Sequence, residues 1–153
     1  FSSVLGEARF LTDGLPQFAD YLGRYPHARM DTVESFVYWS KERLAGKPIV
    51  SATHVSILRS SDSTLPDALV AGKGIFATHY MNASLGITAV LRGDSGSPNY
   101  LAYFNRSDTD VVRGIFGGLV RVFLERRLKN EASEVLLGLR RRLESGDPKP
   151  DPA

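Results

Sequence analysis

The chain has 153 residues, 42% of them hydrophobic and 24% charged, with a net charge of +2 and no cysteine. That is enough chain for one domain with a sizeable core, and it excludes a disulfide framework and thiolate metal sites. No apolar run approaches the ~18 residues needed to span a bilayer as a helix, since the longest apolar-leaning stretch, Val111 to Leu124, is broken by Arg113 and Arg121.

The chain opens at Phe1, which fits either a mature form after signal removal or a trimmed chain. The expectation drawn from it is a soluble, exported or periplasmic protein. Residues 1–30 read as a broken helical region. Pro16 sits where a first helical turn tolerates it, and Phe18, Tyr21 and Leu22 share one helical face. Tyr25-Pro26-His27 ends that helix, because a residue before proline avoids the α region.

Strand-like runs follow. Val33 to Ser40 is rich in β-branched and aromatic residues. Ile49 to Arg59 alternates, with Ser51, Thr53, Val55 and Ile57 on one side and Ala52, His54, Ser56 and Leu58 on the other. Ser60 to Asp67 reads as a polar loop, and Lys73 to Met81 and Leu85 to Arg92 as two more strands. Gly93 to Pro98 is a turn signal, and Asn99 to Arg106 completes a hairpin.

Asp110 to Ser145 reads as one long, basic, amphipathic helix, entered through a capping box of Ser107 and Asp110. A bend is expected at Lys129-Asn130. Residues 111–144 hold eight Lys/Arg and four Glu, a net of +4, which leaves about −2 for the rest. Such a helix is either a solvated outer face or a surface for an anionic membrane or an acidic partner. Residues 146–153 carry three prolines and are expected to be disordered. The organisation expected is therefore a single α+β domain over 1–145 with a Pro-rich tail.

Two Thr-His pairs, Thr53-His54 and Thr78-His79, carry the chemistry most open to question. A hairpin centred on Leu65-Pro66-Asp67 places His54 across from His79, with His79 on an apolar face beside Ile75, Ala77 and Met81. Paired imidazoles suit general acid–base work or metal binding with a third ligand. The plainer reading is a structural histidine bonded to a neighbouring Thr or Tyr. Tyr80 and Asp94 are the weak assisting candidates, and no catalytic residue is assigned. No metal site and no cofactor is called. Gly114, Gly117 and Gly118 lie early in the long helix, where glycine costs about 1 kcal/mol against alanine, so a close backbone approach or space for a ligand is expected there. Phosphate-loop and nucleophile-elbow patterns are not present. Lys/Arg are not interleaved with the strand aromatics, so a nucleic-acid partner is not expected.

The order of short helices, antiparallel strands and a long last helix, over Val33 to Leu143, resembles the START/SRPBCC-type helix-grip superfamily. That resemblance implies a curved antiparallel sheet packed on a long C-terminal helix, with a cavity between them. It also implies an apolar or lipid-like small ligand, and in some members catalysis in the cavity. The glycine-rich helix set against an aromatic, His-bearing sheet points to Tyr38, His79 and Tyr103 as polar contacts and to Phe116, Leu119, Val120 and Phe123 as the helix side of a ligand site. Three functions remain open: a small-molecule binder, an enzyme using His79 or His54, and a module that docks through its basic helix. The sequence leaves the oligomeric state unassigned.

Overall fold

The computed structural model describes residues 1–44, 47–62, 64–79, 81–93 and 97–109, together with positions 137, 138, 140, 141, 144 and 145. The chain divides into two compact units, Phe1–Asp110 and Val111–Ala153.

The first unit begins with three short helices, α1 (Ser2–Gly6), α2 (Arg9–Gly14) and α3 (Pro16–Arg24). Helix α3 starts with Pro16 in its first turn, where the missing N–H costs nothing. It ends at Tyr25, whose φ of −55° and ψ of 134° are the extended values imposed by Pro26; the Tyr25–Pro26 bond is cis. Phe18, Tyr21 and Leu22 form its buried stripe, and Arg24 pairs with Asp20 one turn back on the outer side.

Five strands follow as a plain antiparallel meander: β1 (Val33–Leu44), β2 (Lys47–Arg59), β3 (Ala68–Ala77), β4 (Met81–Leu91) and β5 (Tyr100–Thr109), in spatial order β1-β2-β3-β4-β5. All three helices contribute to one cluster with one face of this sheet. Val4, Leu11, Phe18 and Leu22 meet Leu69, Ala71, Leu85 and Ile87 there. Phe10 meets the Phe104 ring edge-on at 5.6 Å, and the Arg106 guanidinium reaches Glu7 at 2.8 Å. Burial of large apolar side chains such as Phe18 and Leu22, worth ~1.5–3 kcal/mol each, fixes which face the helices take.

The structure corrects the expected architecture. The described residues form a five-stranded antiparallel sheet with small helices, of which only α3 exceeds six residues. No long C-terminal helix is among them, so a sheet packed on such a helix is not what they form. The element that closes the sheet's core is N-terminal: the short apolar stripes of α1 to α3 suffice to cover Leu69, Ala71, Leu85 and Ile87. In the second unit, the six described positions are helical, and Arg140 bonds Glu144 one turn on at 2.8 Å. The bend expected at Lys129-Asn130, the glycines at 114, 117 and 118, and the tail from 146 onward lie outside the described residues.

One strand assignment and one hairpin register also shift. β3 runs from Ala68 rather than Lys73, and it stops at Ala77 rather than Met81. The hairpin between β2 and β3 closes on a Ser60 N–H donated to the Asp67 carbonyl at 3.0 Å. Its tip therefore lies earlier than Leu65-Pro66-Asp67. His54 consequently faces Lys73 and not His79.

Candidate functional site

Strand alternation gives the sheet two chemically different faces. On the helix-bearing face, β2 places Ala52, His54 and Ser56 inward, all buried, and β3 places Leu69, Ala71 and Lys73 beside them. His54 is 1% exposed and Lys73 7%. The Tyr25 ring stacks on the His54 imidazole with centroids 3.5 Å apart. The Tyr21 hydroxyl stands 3.4 Å from His54 Nε2, and the Ser56 hydroxyl 3.5 Å from Nδ1. Burial, and then the neighbouring Lys73 charge, hold the imidazole below its ordinary range.

Lys73 has a clear structural task. Its Nζ donates to the Leu22 carbonyl at 2.7 Å and the Tyr25 carbonyl at 3.4 Å, and it lies 4.4 Å from the centre of the Phe1 ring. Those carbonyls belong to the end of α3, where backbone acceptors lack helical partners and partial negative charge collects. Burial pushes the ammonium below its usual value. His54 and Lys73 thus latch α3 to β2 and β3. The His54 imidazole is enclosed by Tyr21, Tyr25 and Ser56, contacts that account for its burial.

The opposite face is built from other residues. Gly72 of β3 pairs with Gly86 of β4 at its centre. Thr53 and Val55 of β2 flank this pair on one side, and Thr88 of β4 lies two residues along from Gly86. Outside them stand Phe36 and Tyr38 on β1 and Tyr103 on β5, each about half exposed. The missing side chains at Gly72 and Gly86 leave a trough between these aromatic margins. A Cβ at Gly86 would touch the Tyr103 hydroxyl at 3.7 Å, so Tyr103 reaches over it. The Asn105 amide donates to that hydroxyl at 2.7 Å and holds the ring there. Helices α1 to α3 all contribute to the core on the other side.

The trough runs on towards the end of the sheet. β3 and β4 pair from Ala68↔Val90 to Lys73↔Leu85. Beyond that point the β2–β3 register shifts at Ala52/Thr53 and the β4–β5 register shifts at Met81/Ala83. The regular ladder ends there, and a cleft of ≈ 270 Å³ lies among Ala52, Thr53, Gly74, Phe76, Met81 and Ser84. Bulges of this kind re-aim strands at the margins of binding sites.

Of the residues singled out from sequence, Tyr38 and Tyr103 lie on this one face, on opposite sides of the glycine pair. His79 lies in the exposed turn after β3, away from His54. Tyr80, Asp94, Phe116, Leu119, Val120 and Phe123 lie outside the described residues. Lys73 was missed, although its signal was available: it falls in phase with Leu69 and Ala71, the buried positions of its strand. Among the described residues no three His, Asp or Glu side chains converge as metal ligands, and no helix is long and apolar enough to cross a membrane. Comparison with known proteins finds no matching family model, and neither curated proteins nor solved structures provide a match.

Proposed function

We propose that the protein binds an apolar or amphipathic small molecule on the glycine-centred face of the sheet. One observation carries this reading: a strip of Gly72, Gly86 and Gly74, continuous by register with the cleft, lies between Phe36 and Tyr38 on one side and Tyr103 on the other. Glycine where a sheet otherwise favours β-branched residues removes side-chain volume. Half-exposed tyrosines beside the gap offer apolar ring surface with a hydroxyl at the end, which suits a ligand of mixed character. Thr53, Thr88 and Ser84 add hydroxyls along the floor. Neither histidine takes part.

The test is a titration of protein, purified without detergent, with the fluorophore 8-anilinonaphthalene-1-sulfonate, alongside mass spectrometry of an organic extract. Saturable binding is expected, weakened at least about tenfold in Gly86→Leu, which fills the trough, and in Tyr103→Ala. A clean extract together with probe binding that neither variant alters would defeat the proposal.

A further inference from the structure

We infer a second surface, at the end of the sheet where Trp39 and Phe76 project, that docks on an anionic lipid bilayer. It does not depend on the small-molecule reading, which rests on Gly72, Gly86 and Tyr103, although Phe76 and Ala52 also line the cleft at that end of the sheet. Trp39 on β1 and Phe76 on β3 both stand opposite Ala52 of β2. Their rings meet over it, with centroids 5.8 Å apart and planes at 57°. Together they leave Ala52 only 1% exposed, yet Trp39 itself is 66% exposed and Phe76 50%. Val37 and Ile75 beside them are also exposed. The helix cover stops one alternation earlier, at His54 under Tyr21 and Tyr25.

Among the described side chains, the charge beside this apolar tip is positive. Alternation along β1 carries Lys41 and Arg43 on the same side as Trp39, both exposed, while Glu34 belongs to the other side and pairs with Arg59 at 3.6 Å. The tip is also held together as one piece. The Thr78 N–H donates to the Val50 carbonyl at 3.0 Å, and Val50 N–H donates back to the Thr78 hydroxyl at 3.1 Å, which fastens the turn after β3 to the β1–β2 hairpin.

Indole and phenyl rings settle at the headgroup level of a bilayer. Lys and Arg reach from the same depth to anionic headgroups while their alkyl stems stay on the apolar side. A protein partner fits less well. Four half-exposed side chains present on the order of 300 Å², whereas a stable protein interface needs about 800 Å² from each partner. A surface that inserts a few side chains has no such requirement, and an aromatic group joined to cationic ones supplies the two signals that membrane association takes.

Trp39 is the chain's single tryptophan, so it reports on its own contact. The full chain is mixed with vesicles of phosphatidylcholine, with and without phosphatidylserine. With phosphatidylserine present, the emission should shift to the blue, brominated acyl chains should quench it, and the protein should sediment with the vesicles. High salt should weaken the association, and Lys41→Glu with Arg43→Glu should weaken it at least about tenfold at unchanged circular dichroism. The inference is overturned by three results: no shift and no sedimentation; a shift that follows protein concentration without lipid, which would put a second copy on the patch; or sedimentation that leaves Trp39 unquenched and ignores the double substitution, which would place the contact elsewhere. The Gly86→Leu variant should still bind vesicles, so failure of the small-molecule proposal and failure of this one are told apart.

Discussion

At the scale of single residues, the buried polar pair is the most constrained part of the molecule. The imidazole of His54 is held neutral by burial first and by Lys73 second. Its folded-state pKa lies below the unfolded value of 6.5. The unfolded chain therefore takes up a proton that the folded chain resists, and stability falls as pH drops through that value. Thermal melts from pH 7.5 to pH 5 should show this loss, and His54→Gln should flatten it. Lys73→Met separates the two causes. It removes the charge but not the burial, so the His54 resonance should titrate closer to 6.5 in NMR without reaching it. The same substitution leaves the Leu22 and Tyr25 carbonyls without their donor, at a cost of about 1–3 kcal/mol in chemical denaturation. An unmoved His54 titration would show that Lys73 does not act on the imidazole. The sequence placed His54 on one side of its strand with Ala52, Ser56 and Leu58, with a Thr or Tyr partner as one of the readings. It did not show which Tyr, because the contact joins positions 33 residues apart.

At the scale of elements, the meander was legible where alternation is strong and illegible where glycine interrupts it. β1, β2, β4 and β5 were each found within a few residues of their observed positions. β3 was begun at Lys73, five residues late, with Ala68 to Gly72 left unassigned between the polar loop and the strand. Gly72 and Gly74 do not break the strand. They let neighbouring strands come close, as Gly74 shows: a Cβ there would run into Ser84 Oγ on β4. Gly74→Ala should cost about 1–3 kcal/mol in urea unfolding, within the range for overpacking. Ser84→Gly in the same chain should recover most of that loss, because it removes the atoms in the way. Without such recovery the cost would belong to the backbone of the bulge and not to side-chain crowding. The hairpin register failed for a related reason. A polar loop such as Ser60 to Asp67 admits several closures, and the one adopted is set by the Ser60–Asp67 bond and the Asp62–Thr64 bonds inside the loop.

At the scale of the whole first unit, one sheet presents two chemically unlike faces. One is covered by helices around Leu85 and Ile87 and ends in an aromatic, basic tip; the other is lined by glycine, threonine and tyrosine. The division of β2 into these two faces was legible from alternation alone. The pairing that brings Gly72 against Gly86, and Trp39 against Phe76, depends on register and had no signal in the sequence. The two surfaces share residues at the bulge, where Ala52 and Phe76, which meet Trp39, line the cleft together with Thr53. Substitutions without shared partners act additively, and those that share a partner do not. Gly86→Leu should abolish most probe binding and leave vesicle partition within about twofold. Lys41→Glu with Arg43→Glu should do the reverse, and the triple variant should show the two losses at their separate sizes. Ala52 is the place where this independence can fail, because a larger residue there lifts the Trp39–Phe76 pair and strains the bulge together. Ala52→Val should therefore weaken both activities at once. An Ala52→Val chain that folds normally and loses only one of them would show that the bulge transmits nothing between the faces.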